Sequence, residues 1–176
     1  MSWLWYNGTS SGPLLIFNTG KGDCFEKLLL YWPQGSFRGI LFSAYRGCEH
    51  HIVHCGVTEF IVGNYGGFDR MAARAVISAK ALYPGITLLL LLSYHPAERP
   101  IETPPGFDGT FYPPGMESVP RRYAIARANR YMIDHADYLI SYAWHPASNA
   151  KELTACALKK GVAVTNLGEI RESKED

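Results

Sequence analysis

The sequence carries almost no net charge. Lys and Arg number 17 and Asp and Glu 16, leaving +1. A balance this even argues against a protein whose main work is gripping a nucleic-acid backbone or an acidic membrane, although it permits a local basic patch. Long hydrophobic runs are also missing. The longest, residues 28–32 and 86–92, fall far short of the roughly 20 residues that a membrane helix needs, so no membrane partner is expected. No basic stretch precedes the apolar part of MSWLWYNGTSSGPLLIF, which makes it a poor secretory signal. Cysteine is sparse. Cys24, Cys48, Cys55 and Cys156 are scattered and read as free thiols of a cytoplasmic protein, because 176 residues can bury a core without covalent staples. Neither a P-loop nor a GxGxxG occurs, and no nucleophile elbow surrounds Ser93 or Ser148. What is abundant is apolar: 47% hydrophobic against 19% charged residues, the composition of one folded domain.

From Thr58 onward short apolar runs alternate with helix-forming stretches. TEFIVG, ITLLLLLSY, DYLISYA and VAVTNL read as strands near 59–62, 86–93, 137–142 and 162–167. An uninterrupted run such as ITLLLLLSY suits a parallel strand buried on both faces. DRMAARAVISAKALY, the stretch opened by Pro120, and NAKELTACALKK closed by Gly161 read as the intervening helices. This order predicts an α/β fold: a single-domain, Rossmann-like, doubly wound and mostly parallel sheet over 58–168. Residues 1–57 hold the first strand, at 14–18 or 39–44. A helix around 24–31 and a short one within 45–57 are also expected there. Residues 169–176 form a charged tail.

Ligands of open parallel sheets sit beyond the carboxyl ends of the strands. Three segments fall there. Gly63, Asn64, Gly66, Gly67 and Asp69 form a glycine-rich strand-to-helix loop, where free N–H groups suit an anion or a phosphate; a plain tight turn is the competing reading. His145, Ser148 and Asn149 lie in the next such loop, with Glu152 three residues past Asn149. That spacing fits a capping box as well as a catalytic carboxylate. Arg121, Arg122, Arg127, Asn129 and Arg130 occupy the start of the helix after the long loop 95–119. They suit forked phosphate recognition or a solvated helix face. The long loop, with Tyr94, Phe107, Phe111 and Tyr112, offers a cover for a bound base or a contact with a neighbouring subunit. Cys48, His50, His51, His54 and Cys55 cluster at helical spacing, but nothing nearby completes a tetrahedral set. Neither a metal nor a cofactor is called for.

The stretches FIVGNYGGFDRMAARAV, ITLLLLLSYHP, YPPGMESVPRRYAIARANRYMIDHADYLISY and ELTACALKKGVAVTNL resemble the SLOG superfamily. These are Rossmann-like domains related to the Lonely Guy phosphoribohydrolases and to the DNA-processing protein A fold, and the likeness is greatest to small bacterial members. It covers about residues 57–167. The resemblance implies a site for a nucleotide or a nucleotide-derived small molecule, as in a sensor or regulatory domain. It also implies, as an alternative, hydrolysis of the N-glycosidic bond of a nucleoside 5′-monophosphate. Glu152 matches the Lonely Guy glutamate, but W-H-P-A-S-N-A-K replaces the glycines before it. The family arginine falls on Ala128, with Arg127 and Arg130 one and two places away. The resemblance thus implies Arg127 as the candidate catalytic arginine and Arg130, with Asn129, as ligand-binding, one of the two arginines reaching the cleft. These departures favour binding over catalysis. The Gly-His-Arg-type turn of the family has its nearest fragments at 18–22 and 44–46. A five-stranded sheet with three helices leaves Trp3, Trp5, Trp32, Phe107, Phe111 and Tyr112 to cover, and a homodimer is the expected solution.

Overall fold

The computed structural model describes residues 14–18 and 37–168. The elements in chain order are β1 (Leu14–Asn18), α1 (Phe37–Cys55), β2 (Glu59–Val62), α2 (Gly67–Lys80), β3 (Thr87–Leu91), β4 (Gly109–Phe111), a single 3-10 turn (Arg121–Tyr123), α3 (Ala124–His135), β5 (Tyr138–Ser141), α4 (Asn149–Lys159) and β6 (Ala163–Asn166). All four strands expected from Thr58 onward form at the expected places. They do so because a run such as EFIV can be buried on both faces only inside a sheet that carries helices on each side. Phe60, Val62, Leu88 and Ile140 point to a layer built from α1 and α2. Ile61, Leu91 and Leu139 point to one built from α3 and α4. Each fully buried Leu, Ile or Phe of these layers contributes about 1.5–3 kcal/mol. Small residues let the helices lie close: Ala72, Ala75, Val76 and Ala79 on α2, Ala124 and Ala128 on α3, and Ala150 and Ala157 on α4 are all buried.

The sheet has six strands in the order β4-β3-β2-β1-β5-β6. β2, β3 and β4 run parallel to one another, as do β5 and β6. Of the two places expected for the first strand, residues 14–18 provide it, whereas 39–44 lie inside α1, where Ile40, Leu41, Ala44, Tyr45, Cys48 and Ile52 follow a helical period towards the core. β1 also runs antiparallel to both neighbours. Leu15 pairs with Val62 and Ile140, and Ile16 with Ile61 and Leu139. The fragment 44–46 is therefore helix, not a turn after a first strand, and the short helix expected within 45–57 is the end of a 19-residue one. The helix expected around 24–31, the aromatics Trp3, Trp5 and Trp32, and the charged tail lie outside the described residues.

The long loop 95–119 is not wholly irregular, because Gly109–Phe111 adds to the edge of β3. Asp108 anchors it. Its Oδ2 accepts from Leu88 N–H at 2.7 Å and from Lys80 Nζ at 2.5 Å, and Lys80 holds the Asp108 carboxyl below the usual carboxylate range. Lys80 also donates to the Gly106 carbonyl at 3.1 Å. Phe107, Phe111 and Tyr112, expected at a subunit contact, are partly buried against the domain's own two layers. Gly106 has φ +90°, and a Cβ there would stand 2.6 Å from Ile77 Cδ1. Gly106→Ala should therefore destabilise the fold by about 2 kcal/mol, combining the left-handed backbone with local overpacking. A urea titration in which the midpoint does not move would contradict this packing.

Candidate functional site

The chain steps from β2 out to β3 and β4 on one side, then crosses to β5 and β6 on the other. The direction of winding thus reverses between β2 and β5, and β1 fills the position between them. The loops that leave β2 and β5 emerge at the same edge about 10 Å apart, two strand spacings. α2 and α4 follow β2 and β5 directly. α3 follows β4, so all three helices begin at this edge. Beneath the two loops the rings of Phe68 and Tyr142 stack, with centroids 5.8 Å apart and planes 18° from parallel.

The first loop is organised by Asp69. This residue is 5% exposed, and its Oδ2 accepts the backbone N–H of Tyr65 at 2.9 Å and of Gly66 at 2.7 Å. It stands at the third position of α2 and so closes the helix start from below. Burial pushes its carboxyl up to about 6; the Gly66 and Tyr65 amides and Arg70 oppose that shift. Gly63 is needed for the same reason, since a Cβ there would lie 3.1–3.3 Å from the Asp69 carboxyl atoms. Gly66 has extended backbone, φ −124°, and a Cβ on Gly67 would meet nothing within 4 Å. Asn64 is exposed.

The second loop is held by Asn166, a residue that the sequence reading did not single out. Its Oδ1 accepts from Ala143 N–H at 3.0 Å and from Gly168 N–H at 3.1 Å, and its Nδ2 donates to the Ala143 carbonyl at 3.3 Å. Trp144 follows, 50% exposed, with the His145 ring edge-on at 5.6 Å. The capping box expected of Asn149 and Glu152 is not formed. Ser148 is the N-cap, its Oγ accepting from Lys151 N–H at 3.2 Å and donating to the His145 carbonyl at 2.8 Å. A Ser-Asn pair offers two good caps in succession, and the fold uses the one whose side chain also ties down His145. Asn149 and Glu152 are exposed in the first turn of α4.

The arginines divide into two groups. Arg130 reaches Cys156 on α4, and Lys160 pairs with Asp134 one turn further on. Arg130 therefore belongs to the seam between α3 and α4, about 9 Å along the helix from Ala124. Arg127 is exposed one turn nearer the edge and Asn129 is half-buried. Arg121 and Arg99 gather instead at the edge itself, around Tyr94. Their guanidinium carbons lie 5.9 and 5.6 Å from its ring centroid. The Tyr65 ring meets Tyr94 edge-on at 6.3 Å. Burial pushes the Tyr65 hydroxyl up, against the opposing effects of Ser93 and Arg99. Arg99 and Tyr65 complete a wall that sequence reading missed, because they come from different loops and share no spacing. Arg122 turns away to cover the Tyr123 ring at 4.7 Å.

The histidine and cysteine cluster of α1 separates. Cys48 and His51 are buried. His51 Nδ1 lies 2.7 Å from the Gly47 carbonyl, and burial lowers its pKa. His50 and His54 are exposed, with ring centroids 4.7 Å apart. Among the described residues no group of three ligand-type side chains could hold a metal, and no helix is long and apolar enough to cross a membrane. A polar cavity of about 590 Å³, lined by Asp134, Asp137, Lys160 and Gly161 among others, opens at the opposite edge of β5 and β6 and is separate from the loops above.

Comparison of the chain with family models, with curated proteins and with solved structures gives no match.

Proposed function

We propose that the chain is a SLOG-type domain that binds a nucleotide or nucleotide-derived small molecule where β2 and β5 end, in a sensing or regulatory role. One observation carries this reading: aromatic rings, cations and helix starts lie along a single edge of the sheet. Trp144 is half exposed and offers its ring to a base, Tyr94 carries two guanidinium groups, and α2, α3 and α4 all begin at the same edge of the sheet. A flat heterocycle joined to phosphate matches both halves of that surface. The reversal of winding between β2 and β5 is where open α/β sheets hold their ligands.

The second reading is hydrolysis of a nucleoside 5′-monophosphate. Arg130 and Cys156 meet across the seam of α3 and α4, and so do Asp134 and Lys160, each pair 26 residues apart. The same register carries Arg127 towards the turn that holds Glu152. In this reading Glu152 assists departure of the base and Arg127 holds the phosphate. The exposure of both residues and the loss of the family's glycine-rich approach favour the binding role.

A thermal-shift series with AMP, ADP-ribose and a cyclic nucleotide tests both readings. At a hundred times the dissociation constant a ligand adds about 2.7 kcal/mol, which raises the melting temperature of a chain this size by roughly 5–10 °C. Trp144→Ala should cancel most of that rise and leave the ligand-free melting temperature nearly unchanged, since the ring is half exposed. No shift with any of the three at millimolar concentration sinks the binding reading. Chromatographic release of free base from AMP, lost in Glu152→Gln, would instead support the hydrolase.

A further inference from the structure

The glycine loop is the obvious seat for a phosphate, yet two of its amides are already engaged by an acid of the same loop. Tyr65 and Gly66 both direct their N–H groups at Asp69 Oδ2. A phosphate arriving there would have to displace a carboxylate and then sit beside it. Asp69, with its carboxyl pushed up only to about 6, is mostly ionised at neutral pH, so the two anions would repel one another.

Uncompensated positive charge lies a short way along the same edge. Arg99 makes no ion pair with a carboxylate among the described residues. Arg121 has only Glu98, at 3.6 Å, with both side chains more than half exposed, a pairing worth little in water. The two guanidinium groups come from different segments, one from the turn after β3 and one from the 3-10 turn before α3, and they converge on one tyrosine ring. That ring is fixed by Tyr65, which belongs to the glycine loop itself. Stacking leaves the N–H edges of a guanidinium free to fork onto oxygen. Both side chains are long and exposed enough to close on an anion without moving the backbone.

Resting on the nucleotide-binding reading, we infer that the phosphate end of the ligand is held by Arg99 and Arg121 beside Tyr94, and that the glycine loop faces the uncharged part of the ligand. This sets the polarity of the bound molecule: phosphate towards β3 and the 3-10 turn, base towards Trp144 and β5. The ligand class is correspondingly a nucleoside phosphate or diphosphate, not a free nucleoside.

The test is calorimetry with pyrophosphate, AMP and adenosine on the wild-type chain, on Arg99→Ala/Arg121→Ala and on Glu98→Gln. The double variant should bind pyrophosphate and AMP at least tenfold more weakly and adenosine equally well. Glu98→Gln, which releases Arg121, should tighten pyrophosphate severalfold. All of these side chains are exposed, so an unchanged melting temperature serves as the folding control. Unaltered AMP affinity in the double variant overturns the inference and leaves the nucleotide reading standing. Pyrophosphate binding that depends on the two arginines, without binding of AMP or adenosine, keeps the anion site and removes the nucleotide reading. A wild-type chain that binds none of the three overturns both.

Discussion

Asp69→Asn should match the wild-type chain in stability near pH 4 and exceed it by up to about 3 kcal/mol at pH 7.5. The Asp69 carboxyl rises from an ordinary 3.8 to about 6 because burial disfavours its charge. The folded state therefore binds the proton more tightly than the unfolded one. Stability from this residue is complete below pH 4, is lost as the pH climbs through about 6, and stays lost above it. Just over two pKa units correspond to about 3 kcal/mol. Asparagine keeps an acceptor for the Tyr65 and Gly66 amides but cannot ionise, so it escapes the loss. Urea titrations of both chains at pH 4, 5, 6 and 7.5 follow the difference, from which other titrating groups cancel. A gap that does not widen between pH 4 and 7 would mean that the carboxylate is solvated and that the first loop is not built as described.

Gly168→Val should have an effect of similar size at the second loop. Even a Cβ at residue 168 would stand 2.8 Å from Trp144 N and 2.9 Å from the Ala143 carbonyl carbon. These are backbone atoms at the exit of β5 and cannot swing aside like a side chain. The same backbone is clamped by Asn166, whose amide bonds Ala143 twice and Gly168 once. A branched side chain forces the turn away from that clamp, and overpacking of this kind costs about 3 kcal/mol. We expect a melting temperature lower by roughly 6–12 °C, together with altered fluorescence of Trp144, which sits on the displaced backbone. Asn166→Ala should reproduce the fluorescence change without the steric clash. A Gly168→Val chain with wild-type melting and emission would show that the Trp144 loop is not fixed by the last turn of the sheet.

Both loops were visible in the sequence as positions, and neither was visible as a mechanism of closure. A run such as EFIV before Gly63 or YLIS before Tyr142 announces a buried strand, because a strand between two helix layers hides successive apolar side chains on both of its faces. The positions of β2, β3, β5 and β6 followed from that. Asp69 was legible as an acid near a helix start. Its direction, inward onto the loop amides, was not, since the same residue type serves equally well pointing outward. The cap at Ser148 and not Asn149 was a choice between two good caps, decided by the bond from Ser148 to His145.

The sequence alone determined the class of fold and the order of the four strands and three helices read from Thr58 onward, because these depend on local periodicity and on Gly and Pro punctuation. Only the tertiary structure decided that residues 14–18 form a central strand antiparallel to its neighbours, that three residues of the long loop extend the sheet, and that Arg99 and Arg121 meet at Tyr94 while Arg130 goes to Cys156. Each of these joins residues far apart along the chain. A five-residue strand such as LLIFN satisfies its backbone hydrogen bonds equally well in either direction. Its partner and sense are set by which neighbours the helices bring beside it, and no local pattern records that.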